Sequence, residues 1–197
     1  VAKARALGAP LTILNIALFL NEANFVGGFT GWPWLALDEA DTVEDSLMSF
    51  TEFRISPRWI RRLNIPPPER KTIQEAWVYW AKEVAKPLLE RRLSELEGQW
   101  GVANIAEEED LKRAIGKLSF FLSDAESNPW VYEQEDDSFV LKPVFVSRYG
   151  QRYIWKHAQR FLLMSATVIS HKQMCKDLGI PLDETEFIDL KSEFDPR

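Results

Sequence analysis

The stretch Pro33-Trp34-Leu35-Ala36-Leu37-Asp38-Glu39-Ala40-Asp41 decides the fold. Five apolar residues follow one another without polar alternation and then give way to two adjacent carboxylates. A run apolar on both faces is what a strand needs in a parallel sheet covered by helices. The glycines at 27, 28 and 31, with Thr30, mark a loop before it. The charge at its far end places Asp38 and Glu39 at the carboxyl edge of the sheet, where open α/β sheets bind ligands.

Two more apolar runs are expected as parallel neighbours of this strand. Pro10 to Leu14 (PLTIL) precedes it, with Asn15 to Asn21 turning into a short helix. Arg160 to Met164 (RFLLM) lies far downstream and runs into Ser165-Ala166-Thr167. Between them the pattern is helical. A segment near Thr42–Phe53 meets a break at Ile65-Pro66-Pro67-Pro68. Then Ile73, Trp77, Trp80, Val84, Leu88, Leu89, Leu93 and Leu96 recur at spacings of three and four, one amphipathic stripe reaching to about Trp100. Pro87 inside it predicts a kink or a new start. Leu111, Ile115, Leu118, Phe121 and Leu122 give the buried face of a further helix. Trp130–Glu133 and Phe139–Val146 flank Glu135-Asp136-Asp137-Ser138 as a hairpin. A short helix is expected near Tyr149–His157, and another near His171–Leu178 stops at Gly179.

The order is therefore α/β, helical block, α/β. The expected fold is a partial parallel sheet lobe, residues 1–48 and 129–197, with an inserted mainly helical domain at 49–128. With 46% hydrophobic residues and eight tryptophans the chain has ample material for a core. Its one cysteine, Cys175, excludes an internal disulfide and a four-cysteine cluster within the chain. His157 and His171 are not spaced as a metal pair. No run is suited to span a membrane and no secretory signal is present, so the cytoplasm is the expected location.

An apolar strand that delivers two carboxylates to a sheet edge suits nucleotide hydrolysis. Asp38 would hold Mg²⁺ and Glu39 would orient and deprotonate the attacking water. Read alone, the same residues also make an ordinary acidic helix start. The net charge of −6 argues against a generally basic nucleic-acid binder, so any DNA contact has to be local. Arg54, Arg58, Arg61, Arg62, Arg70 and Lys71 fall in one short span with Phe53 and Trp59. Cations there would meet phosphates, and Trp59 would offer a face for single-stranded bases. The competing reading is a solvated basic helix face with Trp59 in the core. Lys82, Lys86, Arg91 and Arg92 read as the polar side of the long helix.

Leu37-Asp38-Glu39-Ala40-Asp41 resembles the acidic motif of superfamily 2 helicases, and Phe161-Leu162-Leu163-Met164-Ser165-Ala166-Thr167 resembles their Ser-Ala-Thr motif. About 120 residues separate the two, far beyond an ordinary loop. The DinG/XPD branch is known for a helical arch inserted at this point. Ala9-Pro10-Leu11-Thr12-Ile13-Leu14-Asn15 and Ile188-Asp189-Leu190-Lys191-Ser192-Glu193-Phe194-Asp195 are similar to stretches flanking the two motifs in that branch.

The resemblance implies that the sheet lobe is part of a RecA-like motor domain and the insert arch-like, and it implies an ATP-dependent DNA helicase moving 5′ to 3′ on single-stranded DNA. Mg-ATP would meet Asp38 and Glu39, and Ser165, Ala166 and Thr167 would couple hydrolysis to movement. Any iron–sulphur cluster would lie outside this stretch, and a protein partner could use the helical insert. There is no Gly-x-x-x-x-Gly-Lys-Ser/Thr to cradle phosphates. The first residue is valine and the last lie inside a motif, so a segment of a longer protein, inactive alone, is expected. The alternative is a non-catalytic helical module that binds DNA or protein.

Overall fold

The computed structural model describes residues 2–96, 101–135, 137–168 and 170–190. In chain order, α1 (Ala2–Leu7) and α2 (Ile16–Asn21) lead through a π turn at Glu22–Val26 to β1 (Trp32–Leu37) and, after a 3₁₀ turn at Ala40–Thr42, to α3 (Val43–Thr51). Next come β2 (Phe53–Ile55), α4 (Pro57–Arg62), α5 (Gln74–Trp80), a π turn (Ala81–Ala85), α6 (Lys86–Leu96), α7 (Val102–Asp124), β3 (Trp130–Glu135) and β4 (Ser138–Pro143). Then follow α8 (Ser147–Tyr153), β5 (Ala158–Leu163) and α9 (His171–Leu178). The chain is mixed α/β, with a parallel strand pair interrupted in sequence by a largely helical insert.

Two compact units divide it: Val1–Phe50 with Phe145–Arg197, and Thr51–Val144. In the first, β1 pairs parallel with β5 in the register Leu35↔Phe161 and Leu37↔Leu163. Asn15 caps α2 by accepting the Leu18 N–H at 2.7 Å, and Ser170 does the same for α9 with Gln173. Gly179 ends α9 at φ 67°, and a Cβ there would collide with the Ser147 carbonyl oxygen. That close approach lets the Trp155 indole donate to the Leu178 carbonyl at 2.9 Å.

The expected strand at Pro10–Leu14 does not form. Among the described residues it has no ladder partner, and Leu11 and Ile13 are 77% and 89% exposed. Thr12 instead turns its hydroxyl onto the Ala6 carbonyl at 2.6 Å, which satisfies an acceptor at the end of α1. Two of the three expected parallel neighbours are therefore present.

The second unit has its own core, in which Trp77, Trp80, Leu89, Leu96, Leu111, Leu118 and Phe121 are buried. These positions carry the helical spacing seen in the sequence. Three indole N–H groups of this core find acceptors: Trp77 on the Lys71 carbonyl, Trp80 on that of Pro66, Trp130 on the Asp124 carboxylate. The Gln74 amide ties α5 to the segment after α7. It donates to the Ala125 and Asn128 carbonyls and accepts the Trp130 N–H. Pro87, expected to kink the long helix or mark a new start, is the second residue of α6, which begins at Lys86. Immediately before it the backbone takes the wider π turn, one known way to absorb a proline's missing donor and its ring.

The hairpin β3–β4 forms as expected, with Tyr132 opposite Leu141 and Asp137 at φ 61° in the turn. Its other neighbour is β2, which pairs antiparallel with β4 through Phe53↔Leu141 and Ile55↔Phe139. This β2-β4-β3 sheet belongs to the second unit, which therefore runs to Val144 and not to 128. Residue 53, expected at a helix end, begins a strand. Among the described residues no helix is long and apolar enough to cross a membrane.

Candidate functional site

The parallel register brings the carboxyl ends of β1 and β5 to one edge. The ladder continues one step beyond both strands: Met164 N–H donates to the Leu37 carbonyl and Ala40 N–H to the Met164 carbonyl, each at 2.9 Å. Asp38 and Glu39 therefore stand beside Ser165, and all of these polar groups are at least partly solvent-accessible.

Glu39 sits in the left-handed region at φ 49°, ψ 49°, a conformation that costs a non-glycine residue about 1–2 kcal/mol. Three bonds hold it there. Its N–H donates to Asp38 Oδ1 at 3.0 Å, and its carbonyl accepts both the N–H and the hydroxyl of Thr42 at 2.9 Å. The chain turns sharply at this residue and leaves Ala40 buried below it.

Asp41 makes the link between the two distant segments. Ser165 Oγ donates to its Oδ1 and Thr167 Oγ1 to its Oδ2, both at 2.6 Å. Ser165 Oγ also accepts the Thr167 N–H at 3.1 Å. The Ser165 bond, followed by that of Thr167, holds the Asp41 carboxyl below the usual carboxylate range. Ser165 and Thr167 were expected at this edge. Asp41 as their acceptor was not, and its only sequence signal is its place as the fourth residue of the acidic motif. Ala166 is exposed between the two hydroxyl residues. Ser192, Phe194 and Asp195 lie outside the described residues.

No group of three or more histidine, cysteine or acidic side chains among the described residues is arranged to hold a metal. One or two carboxylates at a solvated edge nevertheless suit Mg²⁺, which keeps most of its waters and takes phosphate oxygens as further ligands.

The basic span lies in the second unit. Arg54 is on β2, 3.4 Å from Glu52, and Arg58, Arg61 and Arg62 are on α4. The guanidinium carbons of Arg58 and Arg62 stand 5.7 and 5.9 Å from the Trp59 ring centroid. Trp59 itself is only 7% exposed and belongs to the core, so its face is not open to a base. Arginines that contact Trp59 at the surface remain; the stacking platform does not.

No family model and no curated protein matches the sequence. A solved structure titled XPD helicase is similar at 16% identity with a TM-score of 0.42. The match covers 74% of this chain and 29% of that one. A likeness this loose assigns neither residues nor activity, and the chain spans under a third of that structure's length.

Proposed function

We propose that this chain is the portion of an ATP-driven DNA helicase that carries the acidic motif, the Ser-Ala-Thr segment and a helical insert, of the DinG/XPD type. The observation that carries the reading is the double hydrogen bond from Ser165 and Thr167 to Asp41, made across adjacent parallel strands by segments more than a hundred residues apart. Two polar signatures that separately arise by chance are here one constellation at the ligand-binding edge of a sheet.

In this reading Asp38 helps hold Mg²⁺, which would neutralise phosphate charge during hydrolysis. Glu39, fixed by Asp38 and Thr42, orients and deprotonates the attacking water. Asp41 transmits a shift of the acidic segment to Ser165 and Thr167, and through β5 to the chain beyond. The phosphate cradle has to come from outside these 197 residues, since no glycine-rich phosphate loop is among them. Translocation from 5′ to 3′ on single-stranded DNA is the polarity this reading assigns.

The test is Glu39→Gln in the full-length protein that contains this chain. DNA-stimulated ATP hydrolysis is expected to fall by at least a hundredfold, the scale of a lost general base, while nucleotide binding is retained. Unchanged hydrolysis would leave the carboxylates without a motor role. The second unit, with its own core and its arginines, would then stand as a binding module alone.

A further inference from the structure

We propose that a cavity of about 290 Å³ between α4 and α6, lined by Arg62, Leu63, Leu88, Arg91, Arg92 and Glu95, binds the phosphate backbone of single-stranded nucleic acid. The inference names the contact through which the proposed helicase segment would hold its strand. It does not depend on the acidic motif being catalytic.

The fold joins two basic clusters that are remote in sequence. Arg62 ends α4, whereas Arg91 and Arg92 lie on α6, where the sequence alone suggests a solvated helix side. Between Arg62 and Arg92 stands a carboxylate from a third helix. Glu107 on α7 is only 8% exposed; its Oε2 accepts Arg62 Nη1 and its Oε1 accepts Arg92 Nε, both at 2.7 Å. Glu95 takes a further bond from Arg92 Nη1 at 3.1 Å.

A guanidinium has five N–H donors. Glu107 engages one from each of the two arginines and so orients both groups without exhausting them. Arg91 is exposed and makes no hydrogen bond or ion pair among the described residues. Three guanidiniums face two carboxylates, one of which is buried, so the cavity keeps an excess of positive charge in a chain of net charge −6. Planar, pre-oriented guanidiniums suit phosphate oxygens, which they can engage in bidentate fashion.

Size and lining narrow the ligand. The cavity falls at the lower edge of the roughly 300–1,000 Å³ typical of pockets that enclose a whole small molecule. It suits one segment of a polymer, with the phosphate on the arginines and the sugar against Leu63 and Leu88. Free phosphate shares the chemistry but leaves the apolar walls unused.

The experiment is fluorescence anisotropy of a labelled oligothymidylate titrated with this 197-residue chain at several salt concentrations. Arg91→Glu is the informative variant, because the side chain supports nothing else in the fold. It is expected to weaken binding about tenfold and to reduce the slope of log K against log salt by about 0.7 for each phosphate no longer neutralised. Arg113→Glu makes the same charge change at an exposed site on α7, where among the described residues the arginine pairs only with Asp110, and is expected to do far less. Equal losses in the two variants would reduce the effect to overall charge and overturn the site. Absence of binding by the unaltered chain at low salt would overturn it too. Displacement of the oligonucleotide by low-millimolar inorganic phosphate would reassign the cavity to the free ion; no displacement is expected. None of these readouts moves if only the Glu39 assignment fails.

Discussion

Replacing Glu107 by Gln tests whether the insert is held together by the ion triad that this buried carboxylate makes with Arg62 and Arg92. The amide keeps the shape but can accept through one oxygen only. Its NH₂ faces the second guanidinium donor to donor, so one bond is lost and the other keeps only the guanidinium's charge. A hydrogen bond to a charged group contributes about 1.5–3 kcal/mol. The Arg62 side chain is 39% exposed and can rehydrate, and Arg92 retains Glu95. The loss should therefore be about 2 kcal/mol, below the 3–5 kcal/mol typical of breaking a fully enclosed pair. With a urea dependence of about 2 kcal/mol per molar, the midpoint should fall by about 1 M. Tryptophan emission is the probe, because Trp59, Trp77, Trp80 and Trp130 are all buried in this unit. The pH dependence supplies a second check. Burial alone pushes the Glu107 carboxyl up, but the hydrogen bonds from Arg92 and Arg62 outweigh it and hold the group below its ordinary 4.5. A carboxylate with a depressed folded value stabilises fully above its unfolded value and loses that contribution as pH falls through the folded one. The gap between wild type and variant should hold steady from neutrality to about pH 5 and close below it. A midpoint shift under about 0.3 M, or a gap that persists into acid, would refute the triad as a stabilising element.

Two perturbations address the first unit. Gly179→Ala places a Cβ against the Ser147 carbonyl oxygen at φ 67°, so the α8–α9 packing has to open; near-ultraviolet circular dichroism should show lost tertiary structure around Trp155 while the second unit still unfolds cooperatively. His157 is buried and donates its Nε2–H to Asn24 Oδ1, since both Asn24 amide hydrogens already serve the Leu20 and Tyr153 carbonyls. Burial, aided by Lys156, pushes its imidazole below 6.5. The unfolded chain therefore takes up a proton that the folded one resists, and the thermal midpoint of this unit should drop as pH falls from about 7.5 to 5.5. His157→Gln should flatten that slope.

The acidic strand was legible because its signal is local: an apolar run ending abruptly in charge needs no knowledge of neighbours. The same kind of signal misled at Pro10–Leu14. Apolar β-branched composition shows that a segment can pair, but pairing also needs an available edge, and Thr12 is used on α1 instead. Phe53-Arg54-Ile55 is too short to announce itself, and it is a strand only because β4 lies beside it. Trp59 was ambiguous in principle, since an aromatic among arginines reads alike as a stacking platform and as a core residue under a basic surface. The grouping of Arg62, Arg91 and Arg92 was out of reach, because it depends on how α4, α6 and α7 meet.

The short strand β2 also explains how a parallel pair survives so long an interruption. Because β2 runs antiparallel to β4, Phe53 at the start of the insert lies opposite Leu141 near its end. The insert thus begins and finishes on neighbouring strands of its own sheet. Once that sheet has formed, the chain between β1 and β5 behaves as a loop of about 30 residues, not about 120. Closure entropy grows by only about 0.6 kcal/mol per doubling, so the saving is about 1.2 kcal/mol. That is modest beside the core of the insert, but on the scale of a single average protein hydrogen bond. The geometry of the proposed site is thereby insulated from the length of what is inserted. It depends on the insert's ends meeting, which three residues of β2 secure.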